Sequence, residues 1–164
     1  KPKKPVNPNP SVSDEAVQMV MRWEAFRATP YQDGARKAVG YGRNEGHRGF
    51  VITEGMTVTQ AQAEKWLRED LQEIADAIVP QLKVPVTPNQ LGAMASLAYN
   101  IGTGNFLKSS VLRFHNEERP NDAAQAFLRW NKAKDATGVL VEKKGLTRRR
   151  TDEKWLFQKP VSDK

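Results

Sequence analysis

The stretch Ser13-Asp14-Glu15-Ala16-Val17-Gln18-Met19-Val20-Met21-Arg22-Trp23-Glu24, continued by Ala25-Phe26-Arg27-Ala28-Thr29-Pro30-Tyr31-Gln32-Asp33-Gly34, decides how the rest of the chain is read. Ser13 is a capping residue, and the two acids after it suit the positive end of a helix dipole. Val17, Val20 and Met21 then recur at helical spacing, and at about 100° per residue Glu24 returns to within roughly 20° of Val17. This spacing predicts a helix over 13–28 with an acid on its apolar side. A carboxyl held against hydrocarbon resists ionising and can keep a proton for delivery to a leaving group. The plainer alternative is a solvated charge or half of a structural ion pair, the usual state of a Glu near a helix end.

Pro30 closes the predicted helix, because a residue before proline is pushed out of the α region. Asp33 follows in Tyr31-Gln32-Asp33-Gly34, a turn signal at the head of a glycine-punctuated stretch. Two carboxyls from two elements, one in an apolar setting and one in a polar turn, suit glycosidic cleavage: one as acid, the other as base or nucleophile.

Four blocks now stand in order. They are Trp23-Glu24-Ala25-Phe26-Arg27 with Tyr31-Gln32-Asp33 and Val39-Gly40-Tyr41-Gly42; residues 54–64; Ala98-Tyr99-Asn100-Ile101-Gly102-Thr103-Gly104-Asn105-Phe106; and Gly145-Leu146-Thr147-Arg148-Arg149-Arg150 with Trp155-Leu156-Phe157. Together they make the chain resemble the phage-type lysozymes, the endolysin family of glycoside hydrolases, over residues 13–158. The resemblance implies an α+β, lysozyme-like fold: mostly helical, with a small N-terminal β-sheet lobe and a helical C-terminal lobe joined by a long helix. It implies a muramidase that cuts the β-1,4 bond between N-acetylmuramic acid and N-acetylglucosamine. Glu24 would protonate the departing oxygen, and Asp33 would activate water or stabilise charge at the sugar carbon. Asn100 and Tyr99 would face the sugar, against ordinary roles as a C-cap and a packed ring. Arg150 would approach and orient the catalytic Glu, against a plain helix-end arginine. No metal or organic cofactor is implied. The expected partner is bacterial peptidoglycan, and the expected chain is a monomer. The source would be a phage or prophage, its product acting at the host wall after release or as part of a virion.

One departure is specific. The family carries a catalytic Thr two residues before the first Gly of the Gly-Tyr-Gly block, and here that position is Ala38, with the loop after Asp33 one residue short. An ungapped count reaches Val39, which also lacks a hydroxyl. Thr53 or Thr57 could supply one, although no spacing argues for it. Two rival readings follow: a lytic transglycosylase, which needs no positioned water, and a wall-binding or virion module that kept the fold and lost the chemistry.

Composition narrows the partners. With 26 Lys and Arg against 19 Asp and Glu, the 164-residue chain carries +7 and favours a polyanion, such as the acidic polymers of a bacterial envelope. The basic residues are scattered, and neither zinc-ligand spacing nor an aromatic ribonucleoprotein motif supports nucleic acid. There is no cysteine, so the fold must hold by packing. No apolar run approaches the ~20 residues of a membrane span.

Along the chain, residues 1–12 read as a proline-rich basic linker, to an upstream module or anchor, and 159–164 as a C-terminal tail around the catalytic domain. Glycines at 34, 40, 42, 46 and 49 suit a small irregular sheet over 31–52. Thr59-Gln60-Ala61-Gln62 reads as a capping box for a long helix ending before Pro80, and Thr87-Pro88-Asn89-Gln90 as another for an apolar helix to Ile101. Shorter helices are expected over 109–116, 121–130 and 147–158. His47 reads as an exposed loop residue and His115 as a residue near a helix end. Trp23, Trp66, Trp130 and Trp155 read as core positions on helical faces.

Overall fold

The computed structural model describes residues 10–161, so most of the proline-rich tail and the last three residues lie outside the described part. The chain divides into two compact units: Val17–Asp70, and the segments before and after it. Both boundaries fall inside helices, α1 (Asp14–Glu24) and α2 (Gln60–Ile78).

The 17–70 unit contains the rest of α1, a three-stranded antiparallel sheet and the first part of α2. The strands β1 (Arg27–Asp33), β2 (Arg36–Gly40) and β3 (Arg43–Asn44) lie in that order. Thr59 caps α2 as its sequence predicts, its hydroxyl accepting from the Gln62 N–H at 3.1 Å. Val17, Val20, Val39, Ile52, Ala63 and Leu67 form the core. Gly40 is required twice over. It takes φ +72°, and a Cβ there would lie 2.9 Å from the Cβ of Ala63.

The end of α1 differs from expectation. The helix stops at Glu24 rather than running to Ala28, and Ala25 turns the chain with φ +57° into β1. Pro30 therefore lies inside a strand. It can do so because the β1–β2 register shifts between Arg27 and Tyr31, where a missing N–H breaks no regular ladder. The pairing energy of a hairpin outweighs the helical spacing of 25–28.

The other unit is mainly helical. Its elements are α3 (Pro88–Ile101), α4 (Thr103–Leu107), α5 (Ser110–Asn116), α6 (Pro120–Ala126) and α7 (Lys144–Gln158). Thr87 and Gln90 close a full capping box on α3, each bond 3.0 Å. From Asn89 to Ala98 only Gln90 of α3 is not buried, and α3 packs against α7. Ala16 approaches α3 so closely that a Cβ on Gly92 would meet its methyl at 2.3 Å. The presumed tail is anchored at its inner end, where Gln72 accepts from the Val12 N–H and donates to the Pro10 carbonyl, both at 3.4 Å. A short hairpin, β4 (Lys132–Lys134) and β5 (Leu140–Glu142), adds strand structure that the sequence reading did not anticipate. Trp155 is also a correction, being 70% exposed rather than core.

Candidate active site

Glu24 is the last residue of α1 and is half-buried, fixed at the junction where Ala25 reverses the chain. Asp33 is the last residue of β1 and is exposed. The hairpin beyond it is as short as hairpins get: Asp33 pairs with Arg36, leaving the two-residue loop Gly34-Ala35, with Gly34 at φ +62°. The missing loop residue noted in the sequence is thus a tight turn that holds Asp33 in a defined register.

Paired residues on adjacent strands share a face, so Tyr31, Asp33, Arg36 and Ala38 project to the same side of the sheet. Tyr31 is the aromatic side chain of this face. Its phenol is held above the ordinary tyrosine range first by burial and then by the negative charges of Asp33 and Glu24, with Arg27 opposing them. The Arg27 guanidinium lies over the same ring, 4.7 Å from its centre. The charges at the helix end and at the hairpin are thus both felt by one aromatic side chain. Sequence reasoning passed over Tyr31 and Arg27. The available signal was the alternation Tyr31-x-Asp33, which in a strand puts both side chains on one face.

The family model for phage lysozymes matches residues 21–153. The chain belongs to the phage lysozyme family. An endolysin of Acyrthosiphon pisum secondary endosymbiont phage 1 is 36% identical over 148 residues, covering 90% of this chain and 97% of that one. Among solved structures, the muramidase domain of SpmX from Asticaccaulis excentricus superposes with a TM-score of 0.82 at 35% identity, over 92% of this chain and 99% of the domain. A mutant of P22 lysozyme gives 0.77 at 35% identity, over 91% and 99%. The α+β lysozyme-like fold is therefore established, and the chain is a glycoside hydrolase of the lysozyme class.

Ala38 occupies the central strand between Tyr31 and Asn44, is completely buried, and brings a methyl where the family resemblance implies a hydroxyl. Val39 is equally buried. Thr53 lines a pocket of about 290 Å³ with Tyr31, Gln32, Lys37, Ile52 and Met56, whereas Thr57 is not part of its wall.

The remaining candidates belong to the helical unit. Asn100 is exposed in the last turn of α3 and is not its C-cap; Gly102 holds that place with φ +95°, and Asn105 donates to the Ile101 carbonyl at 2.7 Å. Tyr99 beside it is half-buried. Arg150 is fully buried, with Nε 2.7 Å from Oε1 of Glu153 and Nη2 donating to Oε2 at 3.1 Å. Ser96 donates to the same carboxylate at 2.5 Å, and Arg149 contacts it at 3.4 Å. Burial pushes the Glu153 carboxyl upward, against the pull of Arg150 and Arg149. Glu153 was not a sequence candidate, and its i,i+3 and i,i+4 spacing to the two arginines was the signal available.

His47 is not the free loop residue its glycines suggested. It sits on a 3₁₀ turn with Nε2 3.4 Å from Oδ1 of the buried Asp70, while the Arg43 guanidinium lies 3.8 Å from that same oxygen. Arg43 also stacks on Phe50 and Trp66, at 4.9 and 5.1 Å. A permanent cation already compensates Asp70, which makes this cluster a poor cation-binding site and a good brace between the β3 loop and α2.

Proposed function

We propose that this phage lysozyme hydrolyses the β-1,4 bond between N-acetylmuramic acid and N-acetylglucosamine, with Glu24 as general acid and Asp33 as the group that activates or positions water. The chain is a peptidoglycan hydrolase of the muramidase class, and the proposal concerns which residues do the work. What supports it is the placing of the two acids, Glu24 half-buried at the end of α1 and Asp33 at the end of β1 beside a two-residue turn, with the charges of both raising the Tyr31 phenol. Glu24 is half-enclosed at a helix end, whereas Asp33 is open to water on a hairpin, so the two carboxyls come from different elements and different surroundings, as glycosidic cleavage asks. Hydrolysis transfers the Glu24 proton to the leaving oxygen as water adds to the anomeric carbon and yields its own proton toward Asp33.

In this reading Asn100 and Tyr99 contribute sugar contacts, and Arg150 acts through the rigidity of its helix rather than as a mobile cation. The net charge of +7 favours approach to acidic envelope polymers. The protein is a phage or prophage product acting at the bacterial cell wall, and among the described residues no helix is long and apolar enough to cross a membrane.

Clearing of purified wall fragments tests the assignment. The wild type is expected to clear them and to release saccharides with reducing ends, and Glu24→Gln to abolish clearing while still sedimenting with the wall. Clearing that survives Glu24→Gln removes Glu24 from the mechanism. The buried methyl of Ala38 gives a second reading some support, a lytic transglycosylase that needs no external water; release of 1,6-anhydro ends by the wild type would establish it.

A further inference from the structure

Residue 38 poses a question that the rest of the site answers. A hydrolase must hold its attacking water between at least two hydrogen-bonding groups, or the reaction loses the orientation that makes it effectively unimolecular. Asp33 is one such group under the proposed function, on which this inference rests. Ala38 cannot be the other.

The β1–β2 register puts Tyr31 directly opposite Ala38. Opposed residues on neighbouring strands hold their Cβ atoms about 4.5–5.5 Å apart, so a long side chain at one overhangs a small side chain at the other. Tyr31 has the reach, and the methyl of Ala38 leaves it the room. Asp33 stands two residues further along the same strand and therefore on the same face. The ring is also held in place: it is half-buried, follows Pro30, and carries the Arg27 guanidinium at 4.7 Å.

We infer that the Tyr31 hydroxyl positions the attacking water in place of the hydroxyl missing at residue 38. A neutral phenol has one donor and free acceptor lone pairs, so it can accept from one O–H of the water while Asp33 accepts from the other. The water oxygen is then left with a lone pair aimed at the anomeric carbon. As the C–O bond forms, the glycosidic C–O bond breaks, its electron pair leaves with the oxygen that receives the Glu24 proton, and the water proton passes to Asp33. Tyr31 itself gains and loses nothing. The raised phenol range keeps it neutral throughout neutral and mildly alkaline pH, the state this role needs.

The experiment compares wild type, Tyr31→Phe, Ala38→Ser and the double variant on purified peptidoglycan, with kinetics, thermal melting and mass analysis of the released ends. Tyr31→Phe is expected to lower kcat by about 10²-fold, with KM and melting nearly unchanged, and to raise the share of 1,6-anhydro over reducing ends. Ala38→Ser is expected to change the wild type less than threefold and to restore most of the loss in the Tyr31→Phe background. Ala38→Thr serves as a second rescue if the serine packs poorly. Wild-type kcat and product ratio in Tyr31→Phe would overturn the inference, as would a loss that neither hydroxyl rescues in a normally melting protein. A wild type that releases no saccharide ends at all would instead bring down the glycosidase assignment, and this inference with it.

Discussion

Glu24 and Glu153 represent two ways of placing a glutamate on a helix. Glu24 ends α1 in the sheet-bearing unit, half-open, where the backbone leaves the helix through the left-handed Ala25. Glu153 lies within α7 of the helical unit at 0% exposure, gripped by Arg150, Arg149 and Ser96. A buried carboxylate must be matched by donors or it costs several kcal/mol, so its chemistry is spent on its partners. A carboxyl at a half-open junction loses little by staying accessible and can act on something outside the protein. The two glutamates thus divide the work, Glu153 fixing the fold and Glu24, under the proposed function, facing the substrate.

The sharpest test of that division is to neutralise each glutamate in turn. Glu24→Gln should lower kcat by about 10²–10⁴-fold and leave the melting temperature within about 2 °C, as expected for a half-exposed isostere. Glu153→Gln should do the reverse, leaving two guanidiniums facing an uncharged group at a cost of about 3–5 kcal/mol, seen as a fall in melting temperature on the order of 10 °C. If Glu153→Gln melted normally but lost activity, the division would be wrong.

Next in size are the two close approaches. Gly92→Ala forces a methyl against Ala16 in tightly packed helices and should destabilise by about 1–3 kcal/mol in a denaturant titration. Gly40→Ala meets both a positive φ and Ala63 and should cost about as much, but should also lower activity, because it disturbs the strand that carries Ala38. Equal effects on activity from the two glycines would blur the comparison between units.

The smallest effect is one of pH. Burial holds His115 below its ordinary range, against a weaker opposing hydrogen bond that the ring donates to the Pro85 carbonyl. In the unfolded chain the ring titrates near about 6.5. The unfolded state therefore binds the proton first as pH falls. The contribution of His115 to stability is complete above about pH 6.5 and is lost as pH drops through the folded-state value. Denaturant midpoints between pH 8 and pH 5 should decline, and His115→Phe, which keeps the contact with Phe157, should flatten that decline.

Much of the fold was legible in sequence because it depends on local bonds. Thr59 and Thr87 announce their helices through side chains that satisfy N–H groups three residues away, and Leu67, Leu71 and Ile78 repeat at the helical period because one face meets the core. Residues 25–28 misled for the opposite reason: they were read as the continuation of α1, but β2 offers a partner that no local rule contains. The β4–β5 hairpin stayed hidden because its strands are three residues each and largely exposed, with almost no apolar alternation to read. Trp155 is exposed and His115 buried because helix faces are chosen by what packs on them, not by residue type.

For the candidate site, the sequence by itself determined the two acids, the proline and glycines between them, and the absence of a hydroxyl at residue 38, since all of these are matters of residue identity and order. Only the tertiary structure decided that Tyr31 lies opposite Ala38, that Arg27 lies over its ring, and that Arg150 and Glu153 are bound to each other. Those facts depend on strand register and burial, which are settled by the balance of pairing, desolvation and close packing over the whole chain rather than by any residue's neighbours in sequence.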